Sequence, residues 1–265
     1  MRILKFAFLG LALASSAAGA EDREYCPDRP GLGTPACTMS PGKASLEVGL
    51  ADWTVQSDPD ERSDTFTLGD VLLRYGIAEH AEVQVGWASL GFSRSRDRLT
   101  SEVEHYSGTG DVTLALRRNF AHPDGTGLSL AVMPYVTLPL GREPIGDGDW
   151  SAGVLVPLTY ELSDTWALAT TSEIDAAVDE NGKGRHLSLS EVIGASAKLS
   201  SKITASVEYA ITLDRDPADR HVEHVSGLSL GWQPSDNLQL DLGANLGLNH
   251  HADDAEIYFG ISRRY

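Results

Sequence analysis

Between residues 128 and 138 the chain sets Leu128, Leu130, Val132, Pro134, Val136 and Leu138 against Ser129, Ala131, Met133, Tyr135 and Thr137. Apolar groups at every second position give a β-strand one apolar face, because successive side chains point to opposite sides of the pleat. The alternation recurs at Ile203, Ala205, Val207, Tyr209, Ile211 and Leu213, and again at Leu238, Leu240, Leu242, Ala244, Leu246 and Leu248. No window carries the 3.6-residue period of a long amphipathic helix. An all-β fold follows, with about twelve strands (ten or fourteen as alternatives): 45–56, 65–75, 81–92, 109–120, 127–140, 150–162, 165–178, 187–199, 202–213, 222–233, 237–249 and 255–265.

The breaks between strands alternate in length. AHPDGT, Ser163-Asp164, Ser200-Ser201 and Pro234-Ser235-Asp236 are short, whereas SRSRDRLTSEVEHYSG (93–108), GREPIGDGD (141–149), DENGKGRH (179–186) and DRDPADRH (214–221) are long and charged. Long strands, an even count and alternating short and long connections predict a single antiparallel transmembrane barrel of the bacterial outer membrane. A secreted β-sandwich also alternates apolar and polar positions, but its strands usually run to about five or six residues. Tyr75, Phe120, Tyr160, Trp166, Trp232 and Tyr265 fall at the periplasmic ends of the apolar faces, as a membrane-interface girdle requires. Trp87 and Trp150 fall near the opposite rim. A terminal aromatic such as Tyr265 resembles the signal read by outer-membrane assembly machinery, which with outer-membrane lipids is an expected partner. Three positions break the pattern. Pro134 and Pro157 inside strands predict a bulge, Glu191 on the apolar face between Leu189 and Ile193 suggests a phase slip or a site near the interface, and the first strand changes phase near Leu50.

The first residues add a compartment. Arg2 and Lys5, then FAFLGLALA, then Ala18-Gly19-Ala20 read as a secretory signal over 1–20. Residues 21–44 are then a short periplasmic leader, and 45–265 the barrel. With those two removed, 19 of the 21 basic residues remain against 38 acidic ones, a net charge of −19. Such a balance argues against nucleic acid as a partner. Cys26 and Cys37 are the two cysteines, eleven positions apart, and an oxidising compartment predicts a disulfide between them at the periplasmic mouth.

CPDRPGLGTPACTMSPGKASLEVGL (26–50) resembles the mature start of the outer-membrane transporter family of the MetA pathway of phenol degradation. The matching elements are Asp28-Arg29-Pro30, Pro41-Gly42 and Leu46-Glu47. LLRYGIAEHAEVQVGW (72–87), GTGDVTLALRRNF (108–120) and PYVTLPLGREP (134–144) are similar to later strands of that family. The resemblance implies a barrel that transports small molecules, aromatic or hydrophobic compounds among them.

With the apolar face outward, the other face lines a lumen. Arg74, Arg117, Lys198, Lys202 and Arg264 share its periplasmic level with Glu47, Glu82 and Glu161, which predicts a mixed-charge constriction. Asp70, Asp111, Glu173, Asp175, Glu208, Asp241 and Glu256 lie higher, without basic neighbours on the strands, and predict an acidic vestibule favouring cations or neutral solutes. The competing reading is a closed structural or adhesive barrel whose interior ion pairs only satisfy buried groups.

Enzyme chemistry fits less well. Outer-membrane phospholipases use a lipid-facing His and Ser two residues apart, a spacing His224 and Ser226 share, but strand 237–249 offers only Leu and Ala outward to orient the ring. No catalytic residues and no cofactor are expected. His221, His224, His250 and His251 near the loop rim read as solvated residues, with no metal site, and DPDERSD (58–64) lacks the spacing of a dedicated calcium loop.

Overall fold

The computed structural model describes residues 23–265, so the signal segment expected at 1–20 lies outside the described residues. Thirteen strands follow one another: β1 (Ala44–Ser57), β2 (Glu61–Ala78), β3 (Ala81–Asp97), β4 (Val103–Gly108), β5 (Val112–Ala121), β6 (Leu128–Leu138), β7 (Ser151–Glu161), β8 (Trp166–Val178), β9 (Arg185–Ser200), β10 (Ile203–Arg215), β11 (Arg220–Ser235), β12 (Leu238–Gly247) and β13 (Ala255–Arg264). Each stave pairs antiparallel with its sequence neighbour, and β1 pairs with β13, so the sheet closes on itself. Ala44 and Tyr265 exchange both backbone hydrogen bonds at the seam.

Twelve staves close the ring, and β4 is an addition. The lower half of β3 pairs with β5, while Gly91–Arg96 pairs with β4 above it. Part of the segment read as a loop over 93–108 is therefore a hairpin. Ser93 and Ser95 alternate with Arg94 and Arg96, so the two-residue period outlasts the apolar band, and backbone pairing continues beyond it.

A β1–β13 bulge between Gly49 and Ala51 accounts for the phase change at Leu50, whose side chain turns outward. The bulge expected from Pro134 and Pro157 does not form. The β6–β7 register runs unshifted from Leu130 opposite Leu158 to Met133 opposite Leu155, and the ladder skips Ala131 and Val132 instead. The missing proline donor removes rungs without inserting a residue. Glu191 likewise causes no slip: it stays on the outer face and accepts a 2.5 Å hydrogen bond from Ser172 Oγ.

The outer face is a belt of exposed Leu, Ile, Val and Phe. Tyr75, Phe120, Tyr160, Trp166, Trp232 and Tyr265 are all exposed at the short-turn end. A ring closed on itself satisfies the backbone hydrogen bonds of its wall internally apart from the few rungs the prolines remove, and its apolar outside needs a hydrocarbon solvent. The chain is therefore an outer-membrane barrel. Its inside is polar, and the most deeply buried large side chains are Arg74, Arg117, Glu47 and Glu82. Among the few buried apolar ones, Tyr25, Ala36, Cys37 and Met39 come from the leader. The leader runs up the lumen, beyond the mouth.

Candidate functional site: a lumen occupied by the leader

The entry of the leader depends on Gly76. Gly42 N–H donates to Gly76 O at 2.8 Å, and Gly76 N–H to Lys43 O at 3.0 Å. A Cβ on Gly76 would lie 2.2 Å from Ser40 O and 2.7 Å from Met39 O, so only glycine lets the two backbones approach this closely. Cys26 and Cys37 then close the leader on itself through a disulfide.

A chain inside a barrel must find partners for its backbone donors. Pro27, Pro30 and Pro35 have none to satisfy, and the wall takes those between them. Glu47 accepts from Asp28 N–H at 2.9 Å and Arg29 N–H at 3.1 Å. Gly31 N–H donates to Tyr258 Oη at 3.1 Å. Glu208 accepts from Leu32 N–H at 2.8 Å and Gly33 N–H at 3.0 Å, and Thr171 Oγ1 from Thr34 N–H at 2.9 Å. Further down, Glu82 accepts from Met39 N–H at 2.6 Å.

The electrostatic centre is Asp28. Arg117 grips it in a fork, Nη1 on Oδ1 at 2.9 Å and Nη2 on Oδ2 at 2.6 Å, and Arg74 Nη1 shares Oδ1 at 2.9 Å. Arg74 also reaches Glu47 at 3.1 Å and Glu82 at 3.0 Å, and Arg117 reaches Glu82 at 3.2 Å. Both guanidiniums also donate to leader carbonyls, Arg74 to Cys26 O and Arg117 to Cys37 O. Two cations thus face three carboxylates in a buried layer. In such a layer the ions are sustained by mutual attraction and by hydrogen bonds to every available oxygen.

The residues predicted for the constriction divide. Arg74, Arg117, Glu47 and Glu82 form the buried lock. The other four lie around the periplasmic rim. Glu161 accepts from Gly127 N–H at 2.8 Å, Lys202 Nζ donates to Pro234 O at 3.0 Å, and Arg264 bonds Asn237 Oδ1 at 2.7 Å. Lys198 lines a cavity beside the leader.

The acidic set divides as well. Glu208 holds the leader backbone, and Asp241 pairs with Arg29 at 3.2 Å, so neither is an unaccompanied vestibule charge. Asp70 lies opposite Gly49, where the Arg29 guanidinium passes. Asp111 caps the 141–147 loop through Gly141 N–H and Asp147 N–H, both at 2.7 Å. Glu173 accepts from Tyr135 Oη at 2.5 Å and Ser190 Oγ at 3.1 Å, Asp175 faces the outer mouth, and Glu256 accepts from Asn245 Nδ2. The missing cation came from the leader, whose place no wall alternation could reveal. One signal was present: four charges at one lumen level imply something for them to hold.

The leader pairs ionically with Arg74 on β2, Arg117 on β5 and Asp241 on β12, while Glu208 on β10 and Thr171 on β8 hold its backbone. Beside these contacts a cavity of about 310 Å³ opens between it and Ala169, Gly194, Ser196, Thr204 and Ser206. Above it a second cavity, about 340 Å³, is lined by Leu72, Met133, Tyr135, Leu155 and Glu173.

On the lipid side, His224 is oriented after all. Its Nδ1 lies 2.6 Å from Tyr209 Oη on β10, which flanks β11 on the side opposite the strand expected to supply a partner. His221, His250 and His251 gather at the outer mouth, apart from it.

The barrel is similar to the NanC porin, with a TM-score of 0.52 and 8% identity, covering 83% of this chain and 98% of that one. It is similar also to the KdgM porin in complex with disordered oligogalacturonate, with a TM-score of 0.50 and 6% identity over 83% and 98%. The transport unit of the autotransporter AIDA-I from Escherichia coli gives 0.54 and 8% over 84% and 90%. At these identities the likeness shows the fold. Comparison with curated proteins finds no match to this sequence. Residues 27–265, spanning both the leader and the wall that grips it, match the family model described as "Putative MetA-pathway of phenol degradation", and the chain belongs to that family.

Proposed function

We propose that this barrel passes small molecules across the outer membrane through the gap beside its leader. The observation that carries this reading is the cavity of about 310 Å³ between the leader and a wall of Ala169, Gly194, Ser196, Thr204 and Ser206. Small side chains on three adjacent strands, β8 to β10, leave room that larger ones would fill. The cavity above, with Leu72, Met133, Tyr135 and Leu155 beside Glu173, suits a compact solute with an apolar or aromatic body and a neutral or cationic polar group. An acidic upper lumen disfavours anions.

The second reading is a closed structural barrel, favoured by the buried lock of Asp28, Arg74 and Arg117. Liposome swelling separates the two. Vesicles carrying the full chain should swell in small neutral solutes, and Ser196→Trp, which fills the gap, should slow swelling several-fold. Vesicles that exclude all solutes equally in wild type and variant would favour the closed barrel.

A further inference from the structure

The outer mouth brings together side chains that the sequence scatters over four loops and strand ends. A cavity of about 570 Å³ is lined by His186, His221, His250, His251, Asp216 and Asp219, among others. Two His-carboxylate groups stand in it, one built on a single imidazole and one on two. His186 is the lone ring of the first, with Nδ1 3.1 Å from Asp179 and Nε2 3.0 Å from Asp214. Carboxylates surround it and no second imidazole joins it within that group.

The second group is arranged otherwise. His221 and His251 stack, with centroids 4.9 Å apart and planes 17° from parallel, and His250 lies 4.0 Å from His251. His221 Nε2 sits 3.1 Å from Glu223 Oε1, which fixes the ring with Nδ1 on Asp219, 3.2 Å from its backbone oxygen and 3.4 Å from Oδ2. One donor atom each from Asp219, His221 and His251 falls within 4.8 Å of the others. A carboxylate on the far nitrogen of a ligating imidazole sets its tautomer and raises its basicity, the arrangement that orients metal-bound histidines.

We propose that Asp219, His221 and His251 bind a divalent first-row transition metal, of the zinc class, at the extracellular mouth. Two imidazole nitrogens and one carboxylate oxygen suit zinc, whose bonds to nitrogen and carboxylate oxygen are about 2.0–2.2 Å. To hold one ion, the stacked rings must rotate so that their in-plane lone pairs converge, and the donors must close by about an ångström or two. An exposed loop aspartate and two half-buried histidines, at a strand end and in a turn, permit such a movement. Imidazole ligands disfavour calcium and magnesium, which take oxygen donors. The carboxylates of the mouth attract any cation, but the paired imidazoles select among them. The site does not depend on whether the lumen below conducts.

The test is calorimetric titration of Zn²⁺ into the tag-free full-length barrel in detergent, with Co²⁺ absorption as a spectroscopic probe. One metal per barrel is expected, with a visible Co²⁺ band that excess Ca²⁺ does not remove. His221→Ala and His251→Ala should each abolish the band. Glu223→Gln, which leaves all three ligands in place, should weaken binding by about tenfold. His224→Ala, on the lipid face, should change nothing. Wild-type protein that gives neither saturable heat nor a Co²⁺ band overturns the assignment before any variant is made. So does a His221→Ala/His251→Ala variant that still migrates as a folded barrel and binds as wild type does.

Discussion

Arg117 on β5 and Asp28 in the leader, 89 residues apart in sequence, meet in a two-pronged ion pair with contacts of 2.6 and 2.9 Å. The pair joins a segment that belongs to no strand to a wall that would be complete without it. Since Arg74 also touches Asp28, Glu47 and Glu82, the layer holds one carboxylate more than it holds guanidiniums. Removing a cation and removing an anion are therefore unequal. Arg117→Ala leaves three carboxylates facing one arginine and should destabilise the folded barrel by about 3–5 kcal/mol while freeing the leader. Asp28→Asn leaves two of each and should cost less. The order of the two variants in thermal unfolding, followed by heat-modifiable gel migration, checks the claim; an Asp28→Asn variant melting below Arg117→Ala contradicts it.

The Cys26–Cys37 bond closes the leader on itself. By the loop-closure argument, cross-linking a loop of this length removes about 3 kcal/mol of unfolded-state entropy from the leader. The wall does not need that contribution, since its hydrogen bonds close in a ring. Reductant, or Cys26→Ser with Cys37→Ser, should therefore raise the conductance or its fluctuations in planar bilayers and leave the melting of the barrel wall almost unchanged. Identical single-channel records under oxidising and reducing conditions would show the leader to be held by its ion pairs alone.

Gly76 is the point where strand and leader backbones come closest. Gly76→Ala places a methyl group against two carbonyl oxygens of the leader, at 2.2 and 2.7 Å, and the oxygens cannot move without breaking the Gly42–Gly76 hydrogen bond. The expected cost is about 1–3 kcal/mol, typical of an overpacked site. Protease sensitivity of the leader should rise with it, at unchanged surface expression. A fully protected leader in Gly76→Ala would argue against this entry path.

Charge selectivity should lie with the acids the leader leaves uncovered. Glu173 is bonded by neutral partners, Tyr135 and Ser190, and Asp175 faces the outer mouth. Neutralising both, as Glu173→Gln with Asp175→Asn, should lower cation preference several-fold, because a low-dielectric wall focuses the field of carboxylates within it. Asp241→Asn should have little such effect, since Arg29 already opposes its charge. Reversal potentials in a salt gradient give both values, and equal shifts in the two variants would reject the division.

On the lipid face, Tyr209→Phe removes the hydroxyl 2.6 Å from His224 Nδ1. Hydrogen bonds of this kind at membrane depth contribute about 0.6 kcal/mol on average, so a slight loss of thermal stability is expected. Ser226→Ala should leave lipid vesicles and barrel stability alike unaffected. Lysophospholipid released by wild type and not by Ser226→Ala would instead make the His224–Ser226 pair a catalytic one.

The wall was legible because a strand's two-residue period is local. Leu128 to Leu138 and Leu238 to Leu248 declare which face meets lipid, and the aromatic positions from Tyr75 to Tyr265 declare the depth, with no knowledge of neighbours. Alternation also placed Arg74, Arg117, Glu47 and Glu82 inward at one level. What alternation cannot carry is the position of a segment with no period of its own. The leader has three prolines between Cys26 and Cys37 and makes no strand, so only closure of the ring decides that its donors end on Glu47, Glu208 and Thr171. The same holds at the mouth, where His221 at the start of β11 and His251 in the β12–β13 turn meet because β11, β12 and β13 are paired side by side. Periodicity fixes which way a side chain points; which partner it finds across the lumen depends on distances that exist only once the barrel has closed.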